Sequence, residues 1–413
     1  MINPQRTIDD LKELRALTAN DRGAQRVAWT DTWLQARAWF KTKVTEIPGV
    51  QVSEDAAGNI WAVLPGATQQ SLLMGSHLDC VPGGGWLDGC LGVVAGIEVL
   101  RHFAAMDVPP VTIKVIDWAD EEGARFGRSL LGSAAFAGNH SIEADRVRTD
   151  KEGVTLEEAM RRCGVEISRA AEATSGQHNA AAYIELHIEQ GPVLEQMGLP
   201  LGIVTGTKGV ERHAITFFGQ AVHSGATPMP LRKDALAAAA KLALEIRNIA
   251  GKHEDAVCTM GSVKTFPGIV TAVVGRCETT LDQRDLDSGN LAQMYREAKE
   301  ASERFATEEG CTVQWSRIWD IEPIPFHPEL LDLCEEAVFE ASGTRHRLPS
   351  GPLHDAAEVA RCGIPTVMIF TQSLLGISHN KIEDTREEHL RMGVDAIGRL
   401  ADKTAAWIRA RHA

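Results

Sequence analysis

The chain has 413 residues, of which 44% are hydrophobic and 24% are charged, a composition typical of a folded globular protein with room for two domains. Its formal net charge of -14 disfavours binding to nucleic acid or anionic lipid. No apolar run approaches the roughly 20 residues of a membrane-spanning helix, and the polar N-terminus lacks the layout of a signal peptide. The eight cysteines are scattered without a CxxC pair, which favours free thiols. We therefore expect a cytoplasmic protein that binds neither nucleic acid nor membranes.

The first part of the chain alternates apolar, strand-like runs with helical stretches. Strands are predicted at Ser71–Ser76, Val111–Trp118 and Ala182–Ile188. A helix is predicted between the first two, over Leu91–Met106. Strands that are separated by helices favour a parallel or mixed sheet with helices on both faces.

A different order of elements begins near residue 210. The predicted order is β-α-β-β-α-β, over Arg212–Phe218, Asp234–Ile249, Val257–Lys264, Arg276–Asp285, Leu291–Glu309 and Cys311–Ile318. This order is that of a small ferredoxin-like domain. A further buried strand at Pro365–Phe370 and a helix at about Leu390–Arg411 follow it. We therefore predict one α/β domain, residues 1–209 and 328–413, interrupted by an α+β insertion at 210–327.

Polar side chains follow the first predicted strand. His77 and Asp79 are two residues apart, so both can lie on one face of an extended chain. A carboxylate beside an imidazole commonly orients a metal-binding histidine. Asp88 comes next, in a glycine-rich turn before the predicted helix. An isolated histidine is more often structural than a ligand, so this pattern alone is a weak indication of a metal site.

An acidic run closes the second predicted strand, with carboxylates at positions 117, 120, 121 and 122. Such a run is commonly a solvated turn. In α/β sheets, however, the carboxyl ends of the strands form the ligand crevice. Adjacent Glu121 and Glu122 point in different directions, so one can bind a metal ion while the other acts as a general base.

Two further strands are followed by histidines, so a set of metal-ligand residues is predicted at one rim of one sheet. The set is His77, Asp88, Glu122, His187 and His379. Three imidazoles and two carboxylates suit divalent zinc, cobalt, nickel or manganese. Five ligands are enough for two ions that share one carboxylate, and such a pair can lower the pKa of a water molecule and polarise a carbonyl.

These residues lie in strings that are similar to those of a known family. The strings are Gly75–Asp79, Asp88–Gly89, Glu121–Phe126, Glu185–Pro192 and Gly376–His379. They resemble the hydantoinase/carbamoylase amidases, which include N-carbamoyl-L-amino acid amidohydrolases, β-ureidopropionases, and allantoate and ureidoglycolate amidohydrolases, and which belong with the aminoacylases and dimetal carboxypeptidases. The resemblance covers nearly the whole chain. It implies a mixed-sheet α/β dimetal catalytic domain with an inserted ferredoxin-like lid that serves dimerisation.

The resemblance also implies roles for the rim residues. Two divalent ions (Zn, Mn, Co or Ni) would be bound by His77, Asp88, Glu122, His187 and His379. Asp88 would bridge the ions and Asp79 would orient His77. Glu121 would be the general base that takes a proton from the attacking water and delivers it to the leaving nitrogen.

Residues that would contact the substrate are implied in the same way. His223 would act across a homodimer interface and donate a hydrogen bond to the developing oxyanion. Arg284 would bind the substrate carboxylate in two-pronged fashion. Gln190 and His354 would be polar substrate contacts. Thr271 stands where the family has a substrate-binding asparagine, and its hydroxyl is shorter than an amide.

Two further differences from the family pattern are Pro352–Leu353 in place of Ala-Gly and Cys90 in place of alanine. We therefore expect a two-metal amidohydrolase acting on a small carboxylate-bearing substrate with a linear, non-peptide C–N bond, first of all an N-carbamoyl-L-amino acid. Allantoate or ureidoglycolate hydrolysis, and hydrolysis of an unusual N-acyl or amide compound, are the alternatives among enzymes. A metal-dependent binding protein is the alternative outside them.

Overall fold

The computed structural model describes residues 1–411, which fall into two units. The main unit comprises Met1–Thr205 and the chain from Phe326 onwards, and the insert unit comprises Gly206–Pro325. The sequence predicted an insertion at 210–327. No helix among the described residues is both long enough and apolar enough to cross a membrane.

The strands of the described residues are numbered in chain order. They are β1 (Ala19–Asn20), β2 (Gly23–Ala24), β3 (Gln51–Glu54), β4 (Ile60–Leu64), β5 (Ser71–His77), β6 (Thr112–Trp118), β7 (Ala180–Ile188), β8 (Leu201–Thr207), β9 (Gly209–Phe218), β10 (Val257–Thr259), β11 (Val263–Phe266), β12 (Arg276–Asp285), β13 (Thr312–Ile321), β14 (Ile324–Pro325), β15 (Arg347–Ser350) and β16 (Thr366–Thr371).

The helices are numbered in the same way. They are α1 (Pro4–Thr18), α2 (Asp31–Thr45), α3 (Cys90–Ala104), α4 (Leu131–Ala137), α5 (Ile142–Asp145), α6 (Leu156–Arg162), α7 (Val193–Met197), α8 (Ala235–Ala250), α9 (Ser288–Glu308), α10 (Pro328–Ser342), α11 (Asp355–Arg361) and α12 (Glu387–Arg411). Three 3₁₀ helices span Ile167–Gln177, Met229–Leu231 and Leu374–Gly376.

The main unit is built on a mixed sheet whose strand order is β8-β16-β7-β5-β6-β4-β3, with β15 beside β8. The four central strands, β16, β7, β5 and β6, are parallel. The flanking pairs are antiparallel. All seven residues of β5 are buried, as expected for a parallel strand covered on both faces.

The register of the parallel strands brings their carboxyl ends to one rim. His77 at the end of β5 lies beside Trp118 at the end of β6. His187 near the end of β7 lies beside Phe370 near the end of β16. Chain segments that leave these four strands therefore start from the same edge of the sheet. The candidate site residues at the strand ends lie along this edge.

The insert unit is an antiparallel sheet of order β10-β12-β9-β13, with β11 also on β12. This strand order, with helices α8 and α9 between the strands in the chain, is ferredoxin-like. Alternate residues of β12 are buried, so one face of the sheet forms the core with the apolar sides of α8 and α9.

One predicted strand of the insert unit, Val257–Lys264, is two strands. Val257–Thr259 and Val263–Phe266 both pair with β12, but Thr259 lies opposite Asp282 and Val263 opposite Thr279. Three residues therefore lie opposite two, and this β-bulge breaks the strand.

Candidate metal centre

The rim of the main sheet gathers the residues that the sequence singled out. His77 is the last residue of β5, and Asp88 lies two residues before α3. Glu122 follows β6, His187 belongs to β7, and His379 follows the 3₁₀ helix after β16. Their side chains form two groups of three ligands, and both groups include Asp88.

The first group consists of His77, Asp88 and His187. The Oδ1 atom of Asp88 lies 3.3 Å from Nε2 of His187 and 3.8 Å from Nε2 of His77. One ligand atom from each residue lies within 4.8 Å of the others. All three side chains are buried.

The second group consists of Asp88, Glu122 and His379. Nε2 of His379 lies 3.3 Å from Oδ2 of Asp88 and 3.3 Å from Oε2 of Glu122. Asp88 therefore faces the first group with Oδ1 and the second with Oδ2. This is the arrangement of a carboxylate that bridges two metal ions.

The distances fit divalent ions such as zinc. Two ligand atoms bonded at roughly 2.1 Å to one tetrahedral ion lie about 3.4 Å apart, close to the 3.3–3.8 Å measured within the two groups. Imidazole nitrogens and carboxylate oxygens are also the ligand types that such ions prefer.

The charges of the site also favour bound metal ions. The carboxylates of Asp79, Asp88, Glu121 and Glu122 converge in a buried region, and among residues 1–411 their ion-pair partners are histidines only. A buried oxygen of Glu122, Oε1, has no hydrogen-bond partner. Buried carboxylates need compensating positive charge, which bound divalent ions would supply.

The environment separates the pKa values of the carboxyl groups. Burial raises the pKa of Glu121 well above its usual value. Burial and the charge of Asp88 raise the pKa of Glu122 to about 7. Burial also opposes ionisation of Asp88, but hydrogen bonds from His187 and His379 hold its pKa well below the usual value. The hydrogen bond with Asp88 raises the pKa of His379 to about 9. The environment therefore favours the ionised form of Asp88 and the protonated form of Glu121.

Asp79 contacts both sides of the site: His77, as the resemblance implied, and the backbone of the two glutamates. Its carboxylate is 3.6 Å from Nδ1 of His77, whereas its backbone carbonyl is 3.2 Å from the same nitrogen. The two carboxylate oxygens accept hydrogen bonds from the backbone N–H groups of Glu121 and Glu122, each at 3.1 Å. The carboxylate of Asp79 therefore holds the two glutamates in place, and both its carboxylate and its carbonyl contact the ring of His77.

Close packing at Gly89 also positions His77. Gly89 has a φ of 64°, in the left-handed region that favours glycine. A Cβ at this position would lie 2.4 Å from the carbonyl oxygen of His77 and 2.5 Å from its ring. The ring of His77 therefore rests directly on the backbone that follows Asp88.

Two polar residues of the site were not predicted from the sequence. Glu383 accepts hydrogen bonds from the backbone N–H groups of Leu87 and Asp88 at 3.0 and 3.1 Å. The hydroxyl of Ser378 lies 2.9 Å from both the Asp88 and the Glu383 carboxylates. The position of Ser378 next to a histidine was a usable signal, but nothing in the sequence distinguished Glu383 from other acidic residues.

Two predicted substrate contacts of the main unit adjoin the ligands. Nε2 of Gln190 donates to Oδ2 of Asp88 at 2.9 Å. The ring of His354 lies 4.3 Å from that of His187, centroid to centroid, and its buried Nε2 has no partner. Burial lowers the pKa of His354 well below its usual value, so a neutral ring lies beside the first ligand group.

A third group of potential ligands consists of Glu185, His187 and His354. In this group Glu185 is better explained as a structural residue. Both oxygens of Glu185 are hydrogen-bonded, one to Ser76 and the other to Tyr183 and the backbone of Ala356. A carboxylate with these partners has its accepting positions in use. It supports the strand from which His187 extends.

The other predicted residues lie in the insert unit. Arg284 places Nε at 2.8 Å and Nη2 at 3.2 Å from the two carboxylate oxygens of Asp282, and Arg212 binds the same carboxylate. The segments that carry His223 and Thr271 are paired, since the N–H of Ser224 donates to the carbonyl of Thr271 at 2.9 Å. The insert unit thus brings His223 and Thr271 together, and holds Arg284 in an ion pair on β12.

Comparisons with known proteins identify the family of the chain. A model of peptidase family M20/M25/M40 matches residues 73–403. An N-carbamoyl-L-amino acid amidohydrolase of Geobacillus stearothermophilus is 36% identical over 96% of this chain and 97% of its own. An allantoate amidohydrolase of Bacillus subtilis is 30% identical over 93% of each chain. A hydantoinase/carbamoylase family amidase structure from Burkholderia multivorans matches with a TM-score of 0.89 at 32% identity, over 98% of each chain.

Three predictions from the sequence are thereby confirmed: the family, the α/β fold with a mixed sheet and an inserted second unit, and the class of enzyme, an amidohydrolase of non-peptide C–N bonds. The match extends across both units of the chain. The chain belongs to peptidase family M20/M25/M40 and, within it, to the hydantoinase/carbamoylase amidases.

Proposed function

We propose that this chain is a two-metal amidohydrolase that converts an N-carbamoyl-L-amino acid and water to the amino acid, carbon dioxide and ammonia. The observation that carries the proposal is the sharing of Asp88 between two groups of metal-ligand side chains, with Glu121 beside them. The names of the relatives, which include N-carbamoyl-L-amino acid amidohydrolases from three organisms, support this substrate class.

The metal ligands divide according to the two groups. His77 and His187 would hold one ion and Glu122 and His379 the other, and Asp88 would serve both because its two oxygens face the two groups. When bound, the two divalent ions polarise the carbonyl of the substrate and lower the pKa of the attacking water. Zinc, manganese, cobalt and nickel all suit these ligands.

Glu121 is the group that moves the proton. Its Oε2 lies 3.6 Å from Nε2 of His77, on the side of the first ligand group. It takes a proton from the attacking water at this oxygen and delivers it to the leaving nitrogen. Asp79 fixes the backbone of Glu121 and so its direction.

The other proposed substrate contacts belong to the insert unit. The ion pair with Asp282 fixes the plane of the Arg284 guanidinium, which binds the substrate carboxylate. His223 of one subunit donates a hydrogen bond to the oxyanion formed in the other subunit of a homodimer. Thr271 contacts the substrate from the segment paired with that of His223.

Gln190 and His354 complete the substrate contacts from the main unit. The unpartnered Nε2 of His354 and the unpartnered Oε1 of Gln190 are buried and available to a ligand. Allantoate and ureidoglycolate are the alternative substrates, because further relatives carry these names. Release of ammonia and carbon dioxide separates all of these ureido compounds from N-acyl amino acids.

Glu121→Gln should lower kcat for N-carbamoyl amino acids by about 10²–10⁴-fold, the usual contribution of a general base, because the amide cannot accept the proton. The variant should keep two metal ions per chain. Ammonia release across a panel of carbamoyl amino acids of both hands, allantoate, ureidoglycolate and N-acyl amino acids measures the first effect. Elemental analysis by mass spectrometry measures the second.

The matched control for this change is Glu122→Gln, which should lose metal as well as activity because Glu122 is a ligand. Full activity of Glu121→Gln, or activity that survives complete removal of metal by a chelator, would contradict the mechanism. Metal-loaded wild-type protein that binds these compounds and hydrolyses none would favour a binding protein.

Mixing two inactive variants tests whether His223 acts across the dimer. In a symmetric dimer, random exchange of His223→Ala and Glu121→Gln subunits makes half of the dimers mixed, and each mixed dimer has one intact site. Activity should therefore return to roughly a quarter of the wild-type value. If His223 serves its own subunit, each site of a mixed dimer lacks one residue and no activity returns.

Gly89→Ala should lower the metal content, because the added Cβ displaces His77 from the first ligand group. Gly343→Ala is the matched control, since Gly343 has a φ of 73° and nothing within 4 Å of an added Cβ. Both changes should cost about 1 kcal/mol of stability from backbone strain, and Gly89→Ala should cost more because its Cβ would clash with His77, but only Gly89→Ala should bind fewer than two ions. Equal metal contents in the two variants would show that the packing of His77 on Gly89 does not matter.

A further inference from the structure

Arg26 is a fully buried arginine that has no carboxylate partner at ion-pair distance. Its relative exposure is 0%, and no carboxylate of residues 1–411 lies within 4.0 Å of its nitrogens. The other buried arginine of the main unit, Arg37, binds Asp117 at 3.0 Å. Burying a cation without an ionic partner costs free energy of folding. The hydrogen bonds of the Arg26 guanidinium therefore indicate what the residue does.

The guanidinium of Arg26 donates to the backbone of the two segments that carry metal ligands. Nε donates to the carbonyl of Leu78 at 2.9 Å, and Nη2 donates to the carbonyl of Gly85 at 3.4 Å. Leu78 is the residue after His77, and Gly85 lies three residues before Asp88. The remaining bond, from Nη1 to the hydroxyl of Thr18 at 3.2 Å, anchors the guanidinium to the end of α1.

The backbone around Arg26 follows the same two segments. The carbonyl of Arg26 accepts from the N–H of Cys80 at 3.1 Å, and the N–H of Ala24 donates to the carbonyl of Gly84 at 2.9 Å. The chain at 24–26 therefore lies along the loop that joins His77 to Asp88. The side chain of Arg26 ties the two ends of that loop together.

We propose that Arg26 is a positioning residue that fixes the spacing between His77 and Asp88, and so sets the affinity of the first ligand group for its ion. This inference rests on the two-metal site proposed above. It assigns to Arg26 no contact with substrate or with the reacting atoms.

The N–H groups of the same segments already have partners elsewhere. Asp117 accepts from the N–H of Leu78 at 2.9 Å, and Glu383 accepts from the N–H of Asp88 at 3.1 Å. Arg26 supplies the missing donors for the carbonyl groups. An arginine is needed because its planar fork places donors on three separate nitrogens, whereas lysine has one nitrogen.

A simpler role for Arg26 is to balance the negative charge of the nearby acidic groups. Burial opposes the charge of Arg26, but the nearby groups of Cys90, Cys80, Glu383 and Asp79 raise its pKa, so this role also predicts weaker folding when the charge is removed. The two roles make different predictions for Arg26→Lys, which keeps the positive charge and loses the planar fork of donors. They make the same prediction for Arg26→Gln, which loses both the charge and the fork.

The test is titration of the metal-free protein with Co²⁺, followed by calorimetry and by the visible absorption of the bound ion, which reports the ligand geometry. Wild-type protein should bind two ions. Arg26→Lys and Arg26→Gln should both bind one ion at least tenfold more weakly, with an altered absorption band. Leu330→Ala, a buried change on α10, is the control for general loss of stability and should keep the wild-type affinities and band.

Wild-type Co²⁺ binding by Arg26→Lys would overturn the proposal, and if Arg26→Gln alone were weakened, charge balance would be the role. Equal weakening by Leu330→Ala would also overturn it. If both Arg26 variants fail to fold, Thr18→Val decides. It removes the anchor of the guanidinium together with the hydrogen bond from the Thr18 hydroxyl to the carbonyl of Leu14, and it should still weaken binding of the same ion. Wild-type protein that binds fewer than two ions would instead contradict the proposed function.

Discussion

The site depends on one carboxylate, that of Asp88, which faces two groups of ligands with its two oxygens. The ligands of one group come from β5 and β7, and those of the other from the segments after β6 and β16. Because Asp88 belongs to both, any displacement of its backbone changes both ligand groups at once. This explains why the backbone around Asp88 is held by a buried glutamate, Glu383, and packed tightly against His77.

The four parallel strands make this convergence possible. A parallel sheet delivers the carboxyl ends of all its strands to one rim, so ligands that are up to 302 positions apart in the chain, His77 and His379, meet without long loops. The same burial that stabilises the sheet also makes it costly to keep the carboxylates of the site ionised. Carboxylates that cannot reach water need positive charge, and the imidazoles together with divalent ions meet that need.

Much of this arrangement could be predicted from the sequence, because strand-end histidines and acids are visible as polar residues after apolar runs. The elements before Ser71 were not predicted, although Thr30 caps α2 through a recognisable N-cap. Glu383 and Arg26 could not be found, because their partners are backbone groups far away in the chain and leave no pattern in the composition. The carboxylate of Asp79 was expected beside His77, where it lies at 3.6 Å, but its hydrogen bonds from the N–H groups of the two glutamates could be found only from the folded backbone.

The most direct measurement is anomalous X-ray scattering from crystals of the protein loaded with zinc or cobalt. The account predicts two peaks about 3.5–4 Å apart, one on each side of the Asp88 carboxylate, with His77 and His187 at one peak and Glu122 and His379 at the other. A single peak, or two peaks of which only one touches Asp88, would contradict the shared carboxylate on which the proposed chemistry depends.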